Sequence, residues 1–326
     1  MGERAAEISA FLAAAGWATA HRTPLAGDAS ARRYERLTRG EDRAVLMDAP
    51  PAGDTPRFVQ IAQWLLNEGF SAPAILAQAP ERGLLLLEDL GDDLLSRLIL
   101  ADPGREATLY AEVTGFLLDL HRRPAPAFLA PLDGPALGAL LTLTADHYPT
   151  LSREAALALP ELISRSYARL NQETPVLCLR DFHAENALWL PERVGAARLG
   201  LLDFQDAVAG HPAYDLVSAL QDARRDVAPA IEAREIRRYA EAAGLEAERF
   251  GALYALLGAQ RGLRILGVFA RLATSLEKPH YLALMPRVHR YIERNLAHPA
   301  LADIARTVAA AYPAPTAELL EQIQRS

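Results

Sequence analysis

Cysteine is nearly absent from this 326-residue chain: Cys178 is the only one, so no disulfide can form within it. It sits in Pro175-Val176-Leu177-Cys178-Leu179, an apolar strand-like run, where a buried inert thiol is expected rather than a nucleophile. Lysine is just as scarce. Lys278 is the only lysine and every other basic side chain is arginine, so residues 1–277 contain none. No apolar run approaches the roughly 20 residues that span a bilayer. The opening Met1-Gly2-Glu3-Arg4 leads into an alanine-rich amphipathic stretch, not a signal peptide, and a cytoplasmic location is expected. A net charge of −7 argues against a nucleic-acid partner. There are no repeats and no low-complexity linker, and nothing points to an obligate protein partner.

What is present suits a globular protein: 51% hydrophobic and 23% charged residues, in a chain long enough for two domains. Residues 5–16 read as a short helix. Tyr34-Glu35-Arg36-Leu37 and Arg43-Ala44-Val45-Leu46-Met47 read as paired strands across a turn at Gly40, and residues 57–67 as an amphipathic helix ending before Gly69. Residues 75–78 and 84–90 complete a small antiparallel sheet. Beyond Asp92 the periodicity is helical over 105–121, 135–147, 212–222, 229–243, 246–273, 281–295 and 299–311, with an interruption over 177–203. The expected class is α+β, with a sheet-rich lobe over 1–90 and a mainly helical lobe over 91–326.

The chemistry is carried by Leu179-Arg180-Asp181-Phe182-His183-Ala184-Glu185-Asn186 and Leu202-Asp203-Phe204-Gln205-Asp206. Asp181 and Asn186 stand five residues apart, as the base and a metal-binding amide do in a kinase catalytic loop, and Asp203 follows after a strand-like hairpin. Phosphoryl transfer needs these residue types. One carboxylate takes the proton of the attacking hydroxyl, while an amide and a second carboxylate hold Mg²⁺ against phosphate oxygens. Folding about a turn near Val194 and Gly195 would set Asn186 opposite Asp203.

With this layout, the chain resembles the aminoglycoside phosphotransferase and choline kinase branch of the bilobal protein-kinase-like fold, over nearly its whole length. Within that branch it is most similar to bacterial anomeric kinases of cell-wall recycling, which phosphorylate the 1-hydroxyl of N-acetylmuramate and N-acetylglucosamine. The segments that carry this are 27–34, Met47-Asp48-Ala49-Pro50-Pro51, and 260–272. The resemblance implies ATP and Mg²⁺ as cofactors, an amino sugar as substrate, and an ATP cleft between the lobes. It puts the small loop with Ser30, Ala31, Arg32 and Arg33 over the nucleotide phosphates. The backbone of Glu88 and Leu90 would meet the adenine edge, and Asp215 would order the catalytic loop.

One departure stands out. The family's third strand normally carries a phosphate-binding lysine, and here Met47 occupies that position. Arg32, Arg33 or Arg43 could replace it, since a guanidinium binds phosphate bidentately; the first two adjoin the phosphate loop and are preferred. His183 either braces the catalytic loop or touches substrate. Asp206 faces metal or substrate, or serves the turn. The missing glycine after Asp203-Phe204 argues against a protein kinase that flips this segment.

The substrate hint is a helix over 256–272. It is apolar almost all round, yet Arg261, Arg264 and Arg271 project within about 80° of one another. Such a stripe needs anionic partners or water. It is either an ion-pair network or an anion site that would suit the lactyl carboxylate of N-acetylmuramate. An aminoglycoside or amino-alcohol kinase is the alternative enzyme, and a nucleotide-binding pseudokinase the alternative of another class.

Overall fold

A computed structural model describes residues 2–25, 31–51 and 53–325. Ser30 and the rest of the small loop over 26–30 lie outside the described residues. The chain begins with α1 (Gly2–Ala14), β1 (His21–Pro24), β2 (Arg33–Arg39), β3 (Asp42–Asp48), α2 (Thr55–Asn67), β4 (Ile75–Ala79) and β5 (Leu84–Glu88). The five strands form one antiparallel sheet in the order β1-β2-β3-β5-β4. Gly40 supplies the positive φ, 61°, of the two-residue turn between β2 and β3. Ile8, Phe11, Leu12 and Trp17 pack with Leu37, Ala44, Leu46, Leu84 and Leu86. Met47, Leu85 and Leu87, which strand alternation turns to the other face, are buried as well. A sheet covered on both faces explains why β5 reads as consecutive leucines rather than alternating.

The chain continues through α3 (Leu95–Ala101), α4 (Glu106–His121), α5 (Gly134–Ala139), α6 (Thr142–His147), α7 (Arg153–Leu170), β6 (Val176–Cys178), β7 (Ala187–Trp189), β8 (Leu199–Leu201) and β9 (Val208–Gly210). It ends in α8 (Ala213–Leu220), α9 (Pro229–Ala243), α10 (Ala247–Ser275), α11 (Met285–Leu296), α12 (Ala302–Ala311) and α13 (Ala317–Arg325). Two compact units result. The first comprises Met1–Glu106 with Ala184–Asp206, and the second Ala107–His183 with Ala207–Ser326. In the first unit, bridges Ser71–Gly200 and Leu94–Leu188 join the β7–β8 hairpin to its neighbours.

The second unit is organised on α10, which is buried almost continuously from Phe250 to Ala270. Neighbouring helices approach it at distances only glycine permits. A Cβ on Gly262 would lie 2.6 Å from Ile292 Cγ1 on α11, and one on Gly267 would lie 2.6 Å from Thr144 Cα on α6. Several elements differ from the sequence expectation, β1, α3 and α13 among them, and two differences are informative. The pattern over 135–147 is two short helices, α5 and α6, rather than one. The 18-residue α7 was not expected, because Pro160 lies inside it. Among the described residues, no helix is long and apolar enough to cross a membrane.

Candidate active site

In the first unit the β7–β8 hairpin pairs Ala187 with Leu201 and Trp189 with Leu199. Asn186 therefore faces Leu202, whose N–H donates to the Asn186 carbonyl at 3.0 Å. Asp203, the partner expected from the sequence, lies one residue beyond the observed one. The hairpin is centred on Val194, with Trp189 and Leu199 each five residues from it, and not between Val194 and Gly195. Asp203 takes a φ of 54°, which costs a non-glycine residue free energy. Several contacts hold it there. The Gln205 amide donates to Asp203 Oδ1 at 2.7 Å. Buried Phe204 packs against Phe58 of α2, the rings tilted with centroids 4.7 Å apart. Arg57, also on α2, donates to the Gln205 carbonyl at 2.8 Å. An amide oxygen and a carboxylate at one hairpin end are hard donors that fit Mg²⁺, whose shell is normally completed by phosphates and water.

The basic side chains near Asp203 are sharply sorted. Arg32 is buried; its Nη2 donates to Asp54 Oδ2 at 2.5 Å, and its Nη1 lies 3.8 Å from Asp203 Oδ1. Ala31, Arg33 and Arg43 are exposed. Met47 is fully buried. Glu88 pairs through its N–H with the Ala74 carbonyl and through its carboxylate with Arg193. Leu90 is half-buried, with its side chain close to Gly200. Asp206 is exposed in a turn.

In the second unit Asp181 follows Arg180, whose φ is 71°. Asp215, fully buried in the first turn of α8, holds this conformation. Its two oxygens accept from the N–H groups of Leu179 at 2.6 Å and Arg180 at 2.9 Å. Burial pushes the Asp215 carboxyl up to about 7, against the pull of these donors and of Arg261. Ser218, one turn along α8, donates to the Arg180 carbonyl at 3.1 Å and accepts from Arg261 Nη2 at 2.8 Å. The same Nη2 lies 3.6 Å from Asp181 Oδ1.

Burial alone would raise the Asp181 carboxyl, but Arg261, His183, Arg264 and Arg224 outweigh it and hold it below the usual carboxylate range. Asp181 is thus ionised at neutral pH. His183 is buried and accepts from Arg224 Nη1 at 3.2 Å through Nε2, so its proton sits on Nδ1. Burial lowers its pKa, and the ring is neutral at pH 7. Arg264 is half-buried. Arg271 is exposed, ten residues and about 15 Å of helix beyond Arg261.

Asp54, Arg57, Gln205, Ser218 and Arg224 escaped the sequence reading. All are common polar residues, and except for the Gln205 side chain they pair with groups distant in the chain. The departure from the Asp-Phe-Gly pattern at Gln205 was the one visible signal.

The sequence matches the phosphotransferase enzyme family across residues 21–254. The chain belongs to this family. It is 42% identical to an N-acetylmuramate/N-acetylglucosamine kinase of Caulobacter vibrioides, over 93% of this chain and 95% of that one. It is 33% identical to one of Pseudomonas putida, over 88% and 87%. In fold this phosphotransferase is similar to a choline/ethanolamine kinase family protein of Mesorhizobium loti, with a TM-score of 0.66 at 17% identity and 99% of both chains covered. It is also similar to aminoglycoside phosphotransferase APH(3'')-Id of Streptomyces rimosus, solved with ADP and streptomycin, with a TM-score of 0.53 at 17% identity over 80% and 97%. The fold is the α+β, protein-kinase-like one expected from the sequence.

Proposed function

We propose that this phosphotransferase is a cytoplasmic ATP- and Mg²⁺-dependent kinase that phosphorylates the anomeric hydroxyl of N-acetylmuramate and N-acetylglucosamine. The observation that carries the reading is the environment of Asp181. Its carboxylate is ionised, next to buried Arg261, with Arg264, Arg224 and neutral His183 around it. An ionised carboxylate orients the sugar hydroxyl and accepts its proton as the hydroxyl oxygen bonds to the γ-phosphorus of ATP and the bond to the bridging oxygen of ADP breaks, a contribution of roughly 10²–10⁴-fold. Asn186 and Asp203 would hold Mg²⁺, which supplies charge neutralisation at the phosphates when bound. The neighbouring cations favour an anionic acceptor such as N-acetylmuramate over a polycationic aminoglycoside. The relatives in Caulobacter and Pseudomonas support the same substrate class.

The test is ADP release with Mg-ATP over N-acetylmuramate, N-acetylglucosamine, glucose, choline and kanamycin, with Asp181→Asn as control. Release with the two N-acetyl sugars, abolished in the variant while Mg-ADP still binds, is the expected result. Release with kanamycin or choline alone, or wild-type turnover by Asp181→Asn, would sink the reading.

A further inference from the structure

We infer that Arg32 does the work of the absent small-lobe lysine and that Asp54 positions it. The Arg32–Asp54 pair would replace the lysine–glutamate pair that steadies the nucleotide α- and β-phosphates in kinases of this fold. This rests on the kinase reading above.

The argument begins at Met47. Tyr34 is its cross-strand partner on β2, so the two side chains share one face of the sheet. Arg32 stands two residues before Tyr34 and interacts with its hydroxyl, which keeps Arg32 on that face. A cation missing from β3 thus reappears one strand over.

Alternatives are spoken for. Arg33 and Arg43 are exposed, Arg36 pairs with Asp89 and Asp92, and Arg57 donates to the Gln205 carbonyl. Arg32 is the arginine that is both buried and within 4 Å of Asp203, among the described residues. A buried guanidinium between two carboxylates is placed for an anion: when Asp203 is engaged by metal, phosphate oxygen becomes the natural partner of the same fork.

Asp54 gives a second, independent observation. It stands at the N-cap of α2, where an aspartate ordinarily accepts an N–H from the first helical turn. Its side chain makes no such bond and reaches Arg32 instead. The next residues of the same turn, Arg57 and Phe58, hold the segment carrying Asp203. One helix end therefore fixes both the cation and the metal-binding carboxylate, with Asp54 acting through Arg32.

The test uses the full chain. Mg-mant-ADP is titrated by fluorescence, adenosine is measured by competition, and kcat/KM for ATP is determined with N-acetylglucosamine. Arg32→Met is expected to weaken Mg-mant-ADP on the order of 10- to 100-fold while leaving adenosine within about twofold. Arg32→Lys should recover part of the loss. Asp54→Asn should lower kcat/KM about tenfold in the wild-type background and have no further effect in Arg32→Met. A folded Arg32→Met that binds Mg-mant-ADP like wild type, or loses adenosine equally, overturns the assignment of Arg32. Additive losses in the double variant overturn the role of Asp54. If Arg32→Met does not fold, Arg32→Lys and Asp54→Asn both behaving as wild type would overturn the inference. Failure of the parent reading looks different: wild-type protein would then release no ADP with any sugar.

Discussion

Replacing Arg261 with methionine keeps most of the buried stem and removes one charge from the surroundings of Asp181. The two groups are 3.6 Å apart, and the carboxylate is 48% exposed. At that distance the Coulomb attraction is about 1 kcal/mol with water-like screening and about 4–5 kcal/mol at an effective dielectric of 20. A carboxylate half open to water belongs near the screened end. The loss is then about 1 kcal/mol, a roughly fivefold gain in proton affinity.

The direction follows from the state that works. In the proposed role Asp181 acts ionised, and its folded pKa is depressed, so activity is present above that pKa and is lost as pH falls through it. Arg261→Met must therefore move the acid limb of kcat to higher pH. With N-acetylglucosamine, which has no carboxylate, variant and wild-type kcat should converge near pH 8, while KM for N-acetylmuramate should rise more than KM for N-acetylglucosamine. Arg261→Lys restores the charge and should return the limb most of the way. The assay is ADP release from about pH 3 to 8.5, a range that reaches the limb of a depressed carboxylate. An unmoved acid limb in a folded Arg261→Met would refute the electrostatic account, whatever happens to KM.

Two further outcomes concern the scaffold. Asp215→Ala strands the N–H groups of Leu179 and Arg180 and frees Arg180 from its left-handed conformation, so Asp181 should lose its place. A fall in kcat on the order of 10²-fold is expected, with mant-ADP affinity within about twofold, and a wild-type kcat would show that the loop is held otherwise. Gly138→Ala puts a Cβ 2.4 Å from the Pro160 carbonyl oxygen, where α5 meets α7. It should destabilise the protein by about 1–3 kcal/mol in urea unfolding, and an unchanged midpoint would mean the two helices separate freely.

The candidate reacting groups were legible in the sequence because phosphoryl-transfer chemistry would fix their spacing. Asp181, Asn186 and Asp203 must stand at set intervals, and the hairpin between them has recognisable strands. Its register was missed by one residue because the hairpin turns about Val194 itself, and a turn-like run of six residues does not mark its own centre. The helix α7 was hidden by Pro160, whose local penalty is offset by burial of Leu159, Ile163 and Tyr167. Asp54, Ser218 and Arg224 were invisible for another reason. Each is a common polar residue whose role depends on one partner far along the chain, and a single sequence does not encode that pairing as a pattern.

The scarcity of lysine then acquires a physical meaning beyond composition. In each unit the arginine is buried and the carboxylate that would do the chemistry reaches outward: Arg32 is 5% exposed against 47% for Asp203, and Arg261 is 6% exposed against 48% for Asp181. A lysine in such a position is a more strongly hydrated ammonium whose burial costs more, and its point charge could not fix two partners at once. Guanidinium stays charged, is weakly hydrated and spans two acceptors. Arg32 reaches Asp54 through one nitrogen and Asp203 through the other, while Arg261 serves Ser218 and Asp181 together. A buried fork beneath an outward carboxylate pairs with it without taking it out of reach of metal or hydroxyl. On this argument an arginine-to-lysine change at either position is not conservative, and each should cost function even though the formal charge is unchanged.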